Sequence, residues 1–120
     1  MGAVLREIVI DCNDPPRVAE FWRQVLGWQL QEHRGVLWMS ESGDWRDLGL
    51  VFVPVSEKKS AKNRIHLDVS PVGCDRDDEV TRLVALGAHP VDVGQGDAPW
   101  VVLADPEGNE FCVLGRRADD

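Results

Sequence analysis

Apolar residues in the first half of the chain follow two spacings, one typical of strands and one typical of a helix. Residues 4–12 are rich in Val and Ile and predict a strand. Asp14 suits a helix N-cap, prolines are tolerated in the first turn that follows, and Gly27 suits the C-terminal end. The helix between them carries one apolar stripe, formed by Val18, Phe21, Trp22, Val25 and Leu26.

Three further strands are predicted before the middle of the chain. They cover residues 28–33, 36–40 and 48–55, and Gly-containing turns separate them. Residues 56–63 are polar and rich in lysine, which favours a linker.

The second half repeats this arrangement. Residues 64–69 predict a strand, and acidic residues from Asp75 onwards begin a helix, where the helix dipole favours negative charge. This helix ends at Leu86-Gly87, and residues 88–93 predict another strand. Its expected buried face comprises Val80, Leu83 and Val84.

A tight hairpin closes the chain over residues 100–114. Two β-type runs flank Asp105-Pro106-Glu107-Gly108, in which Asp starts a turn, Pro presets φ and Gly accepts a positive φ. Alternation along the last strand places Phe111 and Val113 on one face. The opposite face comprises Glu110, Cys112 and Leu114.

Superposing the halves aligns residues 7–11 with residues 64–68, with Ile, a large aliphatic residue and Asp matching in place. Each half is therefore a βαβββ module, about 4–55 and about 64–115, and neither buries its sheet and helix alone. We predict an α+β fold in which both modules form one pseudo-symmetric domain over residues 1–120.

The composition limits the classes of partner that the protein can bind. A formal net charge of -8 and a sequence pI near 4.8 argue against nucleic acid, although they permit a cationic small molecule. No apolar run approaches the ~20 residues of a membrane span. The N-terminus becomes charged too early for a secretory signal, and three cysteines lack regular spacing. We therefore expect a cytoplasmic protein with reduced thiols and no membrane partner.

The chain resembles the vicinal oxygen chelate superfamily, which includes glyoxalases, bleomycin resistance proteins and dioxygenases. The resemblance rests on residues 8–14 with Phe21-Trp22 and residues 25–28, on residues 63–68, and most specifically on residues 105–111. It implies that the two modules form a cupped, eight-stranded mixed sheet around a cavity, with the helices outside. Family members often form dimers, so the resemblance also implies a homodimer.

The metal enzymes of this superfamily carry four ligands, one on each of four central strands. The resemblance maps the first, third and fourth positions onto Glu7, Arg64 and Cys112, and the second onto Val51 or Val53. Arg64 has no lone pair to donate and valine cannot coordinate. We therefore expect no metal cofactor. The alternative is a divalent ion such as Zn, Ni, Mn or Fe, held by Glu7, His66 and Cys112.

Glu7 and Arg64 are expected to form an ion pair where relatives hold a metal, since neither charge is stable alone in a low-dielectric cavity. Glu7 is then a structural partner, or alternatively a catalytic base. His66 could act as an acid or base, or be held by Asp68 as a structural group. Cys112 is either a small buried hydrophobe or a reactive thiol.

Aromatic and acidic residues complete the candidate ligand site. Trp38 and Trp100 are expected to form walls that bind planar or cationic ligands, with Trp45 as a further candidate. Asp68 and Glu110 could complement a positive ligand. The glycine-containing loop of residues 94–97 near Trp100 is a candidate lid.

Two functions remain open. The first is a metal-independent protein of the bleomycin-resistance type that binds a small aromatic or cationic molecule, with Arg64, Asp68, Trp38, Trp100, Glu110 and Cys112 around it. The second is a lyase, isomerase or dioxygenase, either metal-dependent or using Glu7 and His66 for acid–base chemistry.

Overall fold

Each half of the chain folds as a strand, a helix and three further strands. The computed structural model describes residues 1–119, and the chain divides into two compact units, Met1–Lys58 and Lys59–Asp120. The first unit contains β1 (Glu7–Cys12), α1 (Pro15–Leu26), β2 (Gln31–His33), β3 (Val36–Ser40) and β4 (Gly49–Pro54). The second contains β5 (Leu67–Val69), α2 (Arg76–Leu86), β6 (His89–Pro90), β7 (Val101–Ala104) and β8 (Glu110–Val113). The α+β class and the two βαβββ modules are confirmed.

The two units share one sheet topology. In the first the strand order is β1-β4-β3-β2, with β1 parallel to β4 and the other neighbours antiparallel. The second has the order β5-β8-β7-β6, with β5 parallel to β8. Within the described residues, the eight strands therefore form two mixed four-stranded sheets, one in each unit.

Helix α1 begins and ends where its capping residues predict. The Asp14 side chain accepts a hydrogen bond from the backbone N–H of Arg17, and Gly27 adopts a left-handed φ of 71°. Val18, Phe21 and Trp22 of the predicted stripe are buried, and α1 contacts strands β3 and β4. The apolar stripe thus anchors the first unit.

Helix α2 has the predicted ends but a different buried face. Asp75 caps it by accepting from the backbone N–H of Asp78, and Leu83 is fully buried. Val84, predicted to be buried, is 41% exposed. Glu79 is buried instead, because Arg82 neutralises its carboxylate through two hydrogen bonds of 2.7 and 2.8 Å.

Strand β5 is shorter than predicted. It begins at Leu67, so Arg64 and Ile65 lie in a bend, and Ile65 is 81% exposed rather than turned toward a helix. The register pairs Leu67 with Phe111, and β8 begins directly after the hairpin turn at Glu110. Residues 64 and 65 would lie opposite that turn, where no strand is available to pair with them.

Other strands are also shorter than predicted: β1 begins at Glu7, β2 begins at Gln31, β4 covers Gly49–Pro54 and β6 contains only His89–Pro90. The closing hairpin is confirmed: the backbone N–H of Gly108 donates to the carbonyl of Asp105 at 2.9 Å, with a Gly108 φ of 91°. No helix in residues 1–119 is long and apolar enough to cross a membrane.

Candidate functional site

The second unit contains a cavity of about 360 Å³ over the faces of β5 and β8. Alternation along β8 turns Glu110, Cys112 and Leu114 into it, as predicted, while Phe111 and Val113 are buried on the other face. Because β5 runs beside β8, Asp68 lies directly opposite Cys112. The lining comprises Lys62, His66, Asp68, Val93, Gly94, Gln95, Trp100, Val102, Glu110, Cys112 and Leu114.

Three of the predicted site residues form one cluster in this cavity. Nε2 of His66 lies 3.2 Å from Oδ1 of Asp68, and both side chains are about half exposed. The nearest ligand atoms of His66, Asp68 and Cys112 all lie within 4.8 Å of one another. Burial and the neighbouring Asp68 carboxylate raise the pKa of the Cys112 thiol. Without a cation between them, the thiol keeps its proton.

Glu110 lines the same cavity but is already neutralised. Its Oε1 lies 2.9 Å from Nζ of Lys59 and accepts a hydrogen bond of 3.2 Å from the backbone N–H of Asn63. Burial acts to raise the pKa of Glu110, but the hydrogen bonds from Lys59 and from backbone N–H groups, together with the charge of Lys59, outweigh it, and the pKa is lowered. Asp68, the other carboxylate of the cavity lining, pairs with His66.

An apolar wall of the cavity lies beside the polar cluster, because Val102 of β7 pairs with Cys112 of β8. It consists of Val93, Val102 and Leu114 together with Trp100, which is 41% exposed. Gln95 borders this wall. Its side-chain oxygen accepts a hydrogen bond of 2.8 Å from the backbone N–H of Val93, and this contact holds the loop. That residues 94–97 act as a lid stays a prediction.

In the first unit, Glu7 and Trp38 line an open groove of about 830 Å³. Trp45, predicted as a further wall residue, lies in the same groove and is 72% exposed. Val51 also lines the groove, whereas Val53 does not. Of the two valines considered for the second family position, Val51 therefore shares a groove with Glu7.

Arg64 is exposed, precedes β5 and lies outside the lining of the second-unit cavity. Its predicted position on a strand is wrong, because the strand starts three residues later. Since Glu7 and Arg64 belong to different units, the ion pair between them stays a prediction.

Sequence reasoning missed Lys59, Lys62 and Asn63. All three lie in or beside the segment interpreted as a linker, yet Lys62 lines the cavity and the other two bind Glu110. The lysine content of this segment was the available signal. It did not show which acidic residue would be the partner.

A family model described as a glyoxalase-like domain matches residues 7–114. The chain belongs to the glyoxalase-like domain family. This places it in the vicinal oxygen chelate superfamily, whose members bind small-molecule ligands or substrates.

Solved structures of glyoxalase-like proteins share the fold. A glyoxalase/bleomycin resistance protein/dioxygenase family enzyme from Burkholderia phytofirmans PsJN has 20% identity and a TM-score of 0.70, with 92% of this chain and 97% of that chain covered. Fosfomycin resistance protein FosX from Listeria monocytogenes was solved with Mn(II) and 1S,2S-dihydroxypropylphosphonic acid. It has 14% identity and a TM-score of 0.70, with 99% of this chain and 94% of that chain covered. Leishmania major glyoxalase I has 14% identity and a TM-score of 0.60, with 95% of this chain and 87% of that chain covered. No curated protein matches the sequence significantly.

The resemblance maps the four metal-ligand positions of the superfamily onto residues of which two cannot coordinate a metal. Arg64 is a permanent cation without a lone pair, and both candidates for the second position, Val51 and Val53, are aliphatic. Glu7 and Cys112 alone retain donor atoms at those positions. A different set, His66, Asp68 and Cys112, brings a nitrogen, an oxygen and a sulfur together within the second unit.

Proposed function

We propose that this glyoxalase-like protein binds a small molecule in the cavity of the second unit. The observation that carries the proposal is the cavity itself, about 360 Å³ with an apolar wall beside a polar cluster. Small-molecule sites have volumes of roughly 300–1,000 Å³ and combine apolar walls with a few converging polar groups.

The ligand is aromatic or cationic. Trp100 offers an accessible indole for stacking or for cation–π contact. Asp68 supplies a half-exposed carboxylate on the same cavity. A planar molecule that carries a positive charge would use both groups, whereas Glu110 is already neutralised by Lys59.

Ligand binding requires no metal at the four superfamily positions. The residues there support this part of the proposal, because arginine and valine cannot replace the missing ligands. The ligand should therefore bind to protein that has been treated with a chelator and dialysed.

Titration of chelator-treated protein with N-methylacridinium, followed by tryptophan fluorescence, tests the proposal. We expect saturable quenching that Trp100→Ala reduces, with affinity at least about tenfold weaker, since a desolvated cation–π contact contributes about 2 kcal/mol. Trp45→Ala, at an exposed tryptophan of the first unit, serves as the matched control. Equal affinity of the wild type and Trp100→Ala would contradict the proposed site.

The contact between His66 and Asp68 favours a second candidate, a lyase, isomerase or dioxygenase-type enzyme. A carboxylate 3.2 Å from the imidazole orients the ring, and the half-exposed histidine could then transfer a proton. Glu7 is the second acid–base group proposed for it. Isomerisation of the hemithioacetal of methylglyoxal and glutathione is the test. His66→Gln should lower kcat by roughly 100-fold, and a variant with unchanged kcat excludes His66 as the proton-transfer group.

The proposed cellular state is a homodimer in the cytoplasm. Its support is the resemblance to dimeric relatives and the presence of three cysteines as thiols. Sedimentation equilibrium should give about twice the chain mass of 13.4 kDa. A mass equal to that of a single chain would contradict the dimer.

A further inference from the structure

His66, Asp68 and Cys112 lie on one face of two neighbouring chain segments. Asp68 is two residues after His66, and the parallel register places Asp68 directly opposite Cys112. Their ligand atoms lie within 4.8 Å of one another. The cluster is therefore a set of three different metal-ligand types that converge on one point.

The distances suit a tetrahedral ion after a small adjustment of side chains. Zinc binds sulfur at about 2.3 Å and nitrogen or oxygen at about 2.0–2.2 Å, so its ligand atoms lie roughly 3.5 Å apart. Cys112 is 7% exposed and held by packing, whereas His66 and Asp68 are half exposed and can rotate toward it. The fourth position would face the cavity.

The donor set selects the metal. Thiolate and imidazole favour zinc and other borderline or soft ions, whereas magnesium and calcium prefer all-oxygen sites. We propose that His66, Asp68 and Cys112 form a zinc site within the second unit. On binding, the sulfur–zinc bond forms as the Cys112 thiol releases its proton to water.

This ligand set differs from that of the superfamily. In the mapping that the resemblance implies, Cys112 alone of the three occupies one of the four superfamily positions, while His66 and Asp68 follow the third position, Arg64, along the chain. The site requires no donor from the first unit. It does not rest on the proposed organic ligand, whose binding is tested in chelator-treated protein.

Cobalt(II) titration of the chelator-treated full-length chain tests the zinc site. We expect one cobalt per chain, the intense d–d absorption of tetrahedral cobalt, and a thiolate-to-cobalt charge-transfer band in the near ultraviolet. Zinc should abolish both signals by displacement. His66→Gln and Asp68→Asn should each weaken cobalt binding by at least about tenfold, and Cys112→Ser should remove the charge-transfer band.

Two control variants make the result specific. Cys74→Ser removes a thiol outside the cavity lining, and Glu7→Gln removes the donor that an ion held by Glu7, His66 and Cys112 would need. Neither should change the titration. Absence of the charge-transfer band in the wild type, its loss in Cys74→Ser, or weaker binding in Glu7→Gln would overturn the proposal. His66 and Asp68 are half exposed, so their variants test the site even if Cys112→Ser fails to fold.

Discussion

Asp105 is a fully buried carboxylate that organises the closing turn. Its Oδ1 accepts from the backbone N–H groups of Glu107 and Asn109 at 2.9 and 3.0 Å, and Oδ2 accepts from Nδ2 of Asn109 at 3.0 Å. Replacement by alanine leaves these donors without that acceptor. We expect Asp105→Ala to lower the free energy of unfolding by about 2–3 kcal/mol in urea denaturation.

Asp105→Asn is the matched variant for this prediction. It keeps one oxygen that can accept from both backbone N–H groups and removes the charge. If Asp105→Asn lowered the free energy of unfolding as much as Asp105→Ala does, the charge, and not the acceptor geometry, would stabilise the turn.

The pair between Glu20 and Arg23 predicts a pH dependence. The Arg23 hydrogen bonds hold the pKa of Glu20 at about 2, below its ordinary value of 4.5. Glu20 therefore contributes stability at pH values above about 4.5, and the contribution is lost as the pH falls through 2. Both side chains are nearly half exposed, so the pair contributes only about 0.3–0.5 kcal/mol.

Urea denaturation of the wild type and Glu20→Gln at several pH values checks this. The difference in unfolding free energy should be present at pH 7 and diminish toward pH 2. A difference that stays constant across this range would assign the effect to helix propensity rather than to the carboxylate charge.

Individual site residues were predictable where the signal was local. Alternation along one strand was sufficient to turn Glu110 and Cys112 toward the same cavity, and both line it. Val84 was assigned to the wrong face because periodicity cannot show that Arg82 neutralises Glu79 and allows its burial. Charge pairing of this kind alters burial without changing the apolar pattern.

At the level of strands and helices, Gly49 marks a close approach between β3 and β4. A Cβ at this position would lie 2.5 Å from the backbone carbonyl oxygen of Met39, which cannot move without disturbing the strand pairing. We expect Gly49→Ala to destabilise the protein by about 1–3 kcal/mol in thermal or urea unfolding. The neighbouring Leu48→Ala, at a residue 48% exposed, should cost much less.

Lys59 joins the segment before β5 to strand β8 through an ion pair with Glu110. Its Nζ lies 2.9 Å from Glu110, with the two side chains 21% and 11% exposed. Lys59→Ala should destabilise by about 1–2 kcal/mol, since it leaves a largely buried carboxylate without its cation. Lys58→Ala, at the exposed neighbouring residue, should have no measurable effect in the same denaturation experiment. Equal effects of the two variants would show that the pair is not stabilising.

The ends of the helices were predicted more accurately than the ends of the strands. Asp14, Gly27, Asp75 and Gly87 act on backbone groups a few residues away, so helix ends are local properties. A strand ends where its partner ends, and β5 could not be bounded before its register with β8 was known.

The whole chain carries a formal net charge of -8, and this predicts its behaviour toward polyanions. Phosphate backbones are bound by neutralising lysine and arginine side chains, which are outnumbered here by aspartate and glutamate, 13 to 21. We expect no retention of the protein on a duplex-DNA column at ~0.15 M salt. Salt-dependent retention would reveal a basic surface that the net charge conceals.

The duplicated halves have kept their topology and diverged in chemistry. The residue alignment places Val9 and Asp11 of β1 over His66 and Asp68, and the strand registers set Val53 opposite Asp11 as Cys112 is opposite Asp68. The first unit thus has valine at two of the three positions of the cluster. A metal-ligand set of this kind exists in the second unit alone among the described residues.

The sequence by itself determined the order of the modules, the ends of both helices, the closing turn and the face of the last strand that lines the cavity. These follow from caps, turn residues and alternation, which act over a few neighbouring residues. Tertiary structure decided the start of β5, the contact between Asp68 and Cys112, and the partner of Glu110. Each of these depends on strand register or on segments distant in sequence, because alternation shows which face a side chain takes but not which strand lies beside it.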